Sequence, residues 1–227
     1  MEKLGVVSNI WAMRLSAGER FEDLAMRFGK AGFSDIEVRD GDYLRSSEFG
    51  RFLGEIEKSA DSYPAAEWKE MCEALSSGGN PADAIRPADR PLFERIRRFK
   101  EMTCDLDLTY AFQHAWLSRP ADQEQENRRI VTAKKLAVLL SPGSARMRLV
   151  DLSSPETIDA SAAALNLERY RTLASELPVI HAVENSRQSA RLTLTLAAGA
   201  GFFLAYDEAN LYLPGDRIIE PPELFWE

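Results

Sequence analysis

Pro178-Val179-Ile180-His181-Ala182-Val183-Glu184, then Gln188 to Ala198, then Gly201-Phe202-Phe203-Leu204-Ala205-Tyr206, is the stretch that decides the fold. The two outer runs are apolar, rich in β-branched and aromatic residues, and bounded by proline, glycine and polar residues, as strands are. The run between them reads as a short helix. Strand, helix and strand in that order make a βαβ unit, whose two strands pair in parallel.

Working outward, the unit recurs. Leu4 to Asn9, Phe33 to Val38, Leu106 to His114 and Arg146 to Leu152 read as four more strands. Apolar residues at helical spacing (Phe21, Leu24, Ala25, Phe28) mark a helix over Ala17 to Ala31, and Gly32 stands where a helix end favours positive φ. Asp122 to Leu140 is a long amphipathic helix closed by Ser141-Pro142-Gly143. Ser154-Pro155-Glu156 opens a helical region, and a helix fits Asn166 to Glu176. Between the second and third strands, about 42–105, stand only helical patterns: Glu48 to Ser59, Ala65 to Leu75 and Pro91 to Met102, with a loop at Ser76 to Pro81. This reads as a helical insertion within a single domain, 1–227. Six βα repeats fit either an open doubly wound sheet or a closed (β/α) barrel. The first βα turn lacks G-x-G-x-x-G, and there is no phosphate-binding G-x-x-x-x-G-K-[ST] loop.

The chain has 227 residues, with 28 Lys+Arg against 36 Asp+Glu, a net charge of −8. That balance excludes a protein that reads nucleic-acid backbones, which needs a basic face. At 45% hydrophobic and 28% charged residues, the composition is that of a globular domain. The longest apolar run, Leu192 to Tyr206, is broken by Thr193, Thr195, Gly199 and Gly201, so no membrane association is expected. Asn9 interrupts Leu4-Gly5-Val6-Val7 before it could serve as a signal-peptide core. Cys72 and Cys104 lack metal-ligand spacing and read as reduced thiols, so a cytoplasmic location is expected.

Chemistry in parallel α/β folds collects where strands end. Here those ends are polar: Ser8-Asn9, Glu37-Arg39-Asp40, Gln113-His114, Arg148-Asp151, Glu184-Asn185 and Asp207-Asn210. Glu184 and Asp207 form the sharpest pair, since two carboxylates side by side need a cation or proton between them. Oxygen ligands suit Mg²⁺ or Mn²⁺, or Zn²⁺ where a histidine joins. The structural alternative is that they cap the following helix and loop, or pair with Arg187 and Arg191.

The chain resembles the xylose isomerase-like TIM-barrel superfamily of sugar phosphate isomerases and epimerases over residues 4–216. The resemblance is carried by Leu4 to Asn9, Ala31-Gly32-Phe33-Ser34-Asp35-Ile36-Glu37-Val38, Val183-Glu184-Asn185, and Leu204-Ala205-Tyr206-Asp207-Glu208-Ala209-Asn210. It implies a divalent metal (Mn, Mg or Zn) held by Glu184 and Asp207, and a carboxylate that moves a proton beside a carbonyl, Glu184 or Glu37. It implies contacts from Glu37, His114, Arg148, Asn185 and Asn210 to a small polar substrate such as a sugar or polyol. The family pattern also expects two further βα units carrying a histidine and a last glutamate. Only 17 residues follow Asn210, with no histidine, and Ser186 stands where a histidine is usual. The fold expected is therefore a TIM-barrel-like barrel, incomplete or atypically closed, with about six strands. An endonuclease relative of the superfamily is excluded by two histidines and the charge of −8.

Three readings of the site stay open: a shortened, non-catalytic member that binds a small polar ligand or a partner protein; a site completed by a partner or by the tail; or metal-free chemistry with Glu37, His114, Arg148 and Glu184. Open sheet edges call for cover, from homo-oligomerisation, the inserted lobe, or the tail, where Leu224, Phe225 and Trp226 read as anchors. His181 has the opposite parity to Glu184 and is expected among the helices, while Tyr110, Phe112 and His114 share a face. Trp68, Met71, Leu75 and Phe93 read as core, or as parts of a lid over the mouth. Arg95, Arg97, Arg98 and Lys100 read as a solvated face, or as a phosphate clamp. The leading expectation is a sugar or polyol isomerase/epimerase of carbohydrate metabolism.

Overall fold

A computed structural model of the chain describes residues 4–77, 85–103, 106–118, 122–141, 143, 145–152, 158–213, 217–219 and 221. Its elements run β1 (Gly5–Val7), α1 (Ala12–Ser16), α2 (Phe21–Lys30), β2 (Asp35–Arg39), α3 (Asp42–Arg45), α4 (Glu48–Asp61), α5 (Ala65–Ser76) and α6 (Arg90–Met102). They continue with β3 (Asp107–Gln113), α7 (Gln123–Leu140), β4 (Arg146–Val150), α8 (Ala160–Thr172), β5 (Ile180–Glu184), α9 (Ala190–Gly199) and β6 (Phe203–Ala205). A two-stranded antiparallel ribbon, β7 (Tyr212–Leu213) and β8 (Arg217–Ile218), follows.

The six strands pair in parallel in the order β1-β2-β3-β4-β5-β6. This order settles the choice between the two architectures. A doubly wound sheet reverses its strand order at a switch point, whereas a barrel adds each strand beside the one before. Among the described residues β1 and β6 do not pair with each other, so the sheet is a curled half-barrel with two edges.

Side chains alternate across this sheet. Ile36, Val38, Leu108, Tyr110, Phe112, Met147, Leu149 and Val183 point to the helices and are buried. Asp35, Glu37, Asp107, Arg146, Arg148 and Glu184 occupy the other parity and line the concave face. A parallel sheet covered on both faces is apolar on both. The polar parity here marks a sheet that only one layer of helices covers.

The helices pack through aromatic rings and buried amines. Phe21 stacks on Phe49 with centroids 4.1 Å apart, and Phe49 on Phe99 at 5.3 Å. Trp68 and Met71 are fully buried and Phe93 nearly so, as the core reading of the insertion requires. Three lysines carry their ammonium groups to the C-terminal ends of neighbouring helices, where carbonyls lack intrahelical partners. Lys135 Nζ donates to Ala60 O at 2.7 Å and Tyr63 O at 2.6 Å, at the end of α4. Lys100 Nζ donates to Leu139 O at 2.8 Å and Leu140 O at 3.2 Å, at the end of α7. Lys134 Nζ donates to Leu173 O at 2.6 Å, past α8. Lys100 therefore does not belong to a solvated basic face, although Arg97 does, pairing with Glu94 and Glu101 on its own helix.

The elements match the sequence expectation except at particular boundaries. The first strand is only three residues long, because Ser8–Trp11 turns into a 3-10 helix and α1 follows. Gly32 has φ +96°, as a helix end prefers. Helix α8 spans Ala160–Thr172 rather than Asn166 to Glu176. Asp159 accepts from Ala162 N at 3.0 Å and starts it early, and Leu173 leaves it in an extended conformation. Cys104, Ser154-Pro155-Glu156 and the anchors Leu224, Phe225 and Trp226 lie outside the described residues. No helix among the described residues is long and apolar enough to cross a membrane.

The buried ammonium of Lys135 gives a direct test. Lys135→Met leaves two carbonyls at the end of α4 without their donor, and hydrogen bonds to a charged group each contribute about 1.5–3 kcal/mol. A thermal melt of this variant should fall by several degrees, whereas Lys69→Met on an exposed face should not move it.

Candidate functional site

β4 places Arg146 and Arg148 two residues apart, hence on one face and one layer above the other. In the ladder Arg148 has Ala111 on one side and Ala182 on the other. Those two small side chains leave its guanidinium room to reach past them. Its Nε donates to Glu37 Oε2 at 2.6 Å, and Nη2 bonds the other oxygen of the same carboxylate. Nη1 meets Glu184 Oε2, so one arginine holds a carboxylate from β2 and another from β5. One layer below, Arg146 Nη2 lies 2.8 Å from Asp35 and 3.3 Å from Asp107. Burial pushes the Asp35 carboxyl above its usual range, against the pull of Arg146.

Side-chain exposure falls from 35% at Arg146 to 14% at Arg148 and 8% at Glu184. The upper layer, at the C-terminal ends of the strands, is therefore where charge acts most strongly through low-dielectric surroundings.

A hydrogen-bonded circuit adjoins Glu184. Asn185 Nδ2 donates to Asp207 O at 2.9 Å, and Asp207 N donates to Asn185 Oδ1 at 2.7 Å. This reciprocal pair extends the β5–β6 ladder by one rung made from a side chain. The Asp207 carboxylate accepts from Ala209 N at 3.0 Å and caps the 3-10 turn Glu208–Leu211. That turn delivers Asn210, whose Nδ2 donates to Glu184 Oε1 at 2.7 Å.

The structure thus brings Glu37, Arg148, Glu184 and Asn210 together. Asn185 and Asp207 stand beside them, but their bonds go to the backbone. His114 lies apart. It shares its face with Tyr110 and Phe112, and that face looks to the helices. Its Nε2 is 2.6 Å from Glu126 of α7, and its ring packs on Phe112 and Tyr170. Burial lowers its pKa, with Glu126 pulling the other way. His181 also stands on the helix side, as its parity required, stacked on Phe202 at 4.7 Å.

A divalent metal needs several convergent oxygens; in this structure the Glu184 carboxylate meets a guanidinium and an amide, and that of Asp207 caps a turn. Among the described residues no three His, Cys, Asp or Glu side chains converge as a metal site would require. The cation at Glu184 is the side chain of Arg148. Arg146, Asp35 and Asp107 were not singled out from the sequence. Their signal was the strict alternation of polar and apolar residues in strands that pair in parallel.

No family model matches this chain, and neither does any curated protein. Among solved structures, the fold is similar to that of a sugar phosphate isomerase/epimerase from Parabacteroides distasonis ATCC 8503. The TM-score is 0.53 at 14% sequence identity, over 92% of this chain and 66% of that one. At that identity the likeness is one of fold: an incomplete TIM barrel. The chain spans just under two thirds of that structure's length.

The placement of His181 fixes a pH dependence. Burial lowers its pKa from 6.5 to about 3. The unfolded chain therefore binds a proton that the native chain refuses, and stability falls as pH drops below 6.5. At 1.36 kcal/mol per unit, going from pH 6.5 to pH 5 removes about 2 kcal/mol. Denaturant midpoints measured between pH 7 and 5 should fall accordingly, with His181→Phe flattening the slope. An unchanged slope in that variant would assign the acid sensitivity elsewhere.

Proposed function

We propose that this chain is a sugar or polyol isomerase/epimerase-like protein that moves a proton beside a carbonyl, with Arg148 as the cation of its site. Such a reaction needs a base for the C–H proton and a positive group for the oxygen that gains charge. Glu184 is the last residue of β5 and Glu37 the middle one of β2, and arginine keeps its charge at any working pH. Arg148 would exchange one carboxylate for the substrate's carbonyl and hydroxyl oxygens, which releases that carboxylate to act as the base. Asn210 would hold the remaining oxygen of Glu184 in place. The observation that carries this reading is one guanidinium shared by glutamates from β2 and β5, on a fold like that of a sugar phosphate isomerase/epimerase.

A second reading is a non-catalytic member that binds a small polar ligand. It is favoured by the same ion pairs, since both carboxylates are engaged before any substrate arrives.

Proton exchange distinguishes the two. Chelator-treated protein in D₂O is mixed with a panel of aldoses, ketoses and their phosphates, and loss of C–H signals is followed by NMR. Exchange should occur on one of them and fall about 10²-fold or more in Glu184→Gln, the usual contribution of a positioned base. Arg148→Lys keeps the charge but not the two-oxygen fork, and should also lose most of the rate. Saturable binding without exchange would establish the second reading. Exchange seen only after adding Mn²⁺ would overturn the arginine-centred site.

A further inference from the structure

We propose that the cleft between α4 and α7 is a separate binding site for a small zwitterion that carries an ammonium and a carboxylate. The cleft has a volume of about 450 Å³, within the range of small-molecule pockets. Its floor includes the rings of Tyr110 and Phe112, both buried. These are the helix-facing residues of β3. The cleft therefore lies on the opposite side of the sheet from Glu37 and Arg148, and the concave site cannot reach it.

The walls carry opposite charges. Glu57 and Asp61 stand one turn apart on α4, while Gln125, Arg128 and Arg129 come from the first turns of α7. With Asp40 and Arg45 the lining holds three acids and three arginines, so it is neutral overall. Most of that charge is satisfied internally. Arg45 binds Asp40 at 2.7 Å and Glu57 at 2.8 Å. Arg129 bonds Glu126 at 2.6 Å and lies 5.3 Å over the Phe112 ring.

What remains is one group of each sign. Among the described residues Arg128 pairs only with Glu124, at 3.7 Å and exposed. Asp61 accepts from Thr132 Oγ1 at 2.5 Å with one oxygen and acts on Lys135 through space, and its other oxygen has no hydrogen bond among the described residues. A dianion would meet the acidic wall, and a dication the arginines. A ligand with one charge of each sign satisfies both groups. An α-amino acid has that chemistry.

Titration of the full chain by NMR or calorimetry tests this with three probes: L-phenylalanine, 3-phenylpropionate and phenethylamine. L-Phenylalanine should bind saturably, and each half-molecule at least tenfold more weakly. Asp61→Asn keeps an oxygen for Thr132, and Arg128→Gln changes an exposed residue, so both should fold. Each should weaken L-phenylalanine at least tenfold. Binding is read without the proton-exchange assay, so a failure here and a failure of the isomerase reading are distinguishable. Equal binding of L-phenylalanine and 3-phenylpropionate, no saturation at millimolar concentration, or unchanged binding in Asp61→Asn and Arg128→Gln would each overturn the proposal.

Discussion

One guanidinium gripping carboxylates from β2 and β5 is the contact on which the concave face depends. In a flat sheet those strands would lie three spacings apart, on the order of 14 Å. Arg148 stands on β4 between them, one spacing from Glu184 and two from Glu37, and its long side chain crosses β3 over the small Ala111. The ion cluster therefore depends on that small residue, and it acts as a lock across the strands. Backbone hydrogen bonds join each strand only to its neighbour, whereas Arg148 ties β2, β4 and β5 at once. Removing one partner would leave a largely buried charge without compensation, which is among the more damaging single changes a protein can suffer.

The same geometry explains why Glu184 is held by an amide as well as an arginine. A carboxylate that accepts from a guanidinium on one oxygen has the other free to rotate. Asn210 fixes that oxygen, but Asn210 sits on a short 3-10 turn with little stability of its own. Asp207 starts the turn through its side chain, and Asn185 pins Asp207 through its backbone. The side chains of the last two bond to backbone and not to the Glu184 carboxylate. Their role is to place a residue that does.

Most of the fold was legible in the sequence because strand and helix differ in period, and six alternations leave few architectures. The strand order was not legible, since barrel and doubly wound sheets use the same βαβ unit, and only pairing distinguishes them. Strand-end position singled out Glu37, Arg148, Glu184 and Asn210, which the structure brings into contact. It could not assign their bonds, because rotamers and the two alanines beside Arg148 decide whether a carboxylate meets an arginine or an ion. The parity argument placed His181 among the helices, and the same argument applied to His114 would have done likewise. His114 stands an even number of residues from Tyr110 and Phe112, which are too large and apolar for a charged concave face.

That parity also separates the two candidate sites. Odd-numbered positions of β2 and β3 share the concave face with Arg146 and Arg148 of β4, while Tyr110 and Phe112 face α4 and α7. A strand within a closed barrel normally spends its outward face on packing alone. Here the insertion between β2 and β3 contributes α4, whose last turn meets α7 through Asp61 and Thr132 and through Lys135. Between the two helices, above the buried rings of Tyr110 and Phe112, the cleft keeps charged walls. The same insertion that enlarges the core around Trp68 and Phe93 thus gives the outer face of the sheet a cavity that packing alone does not require.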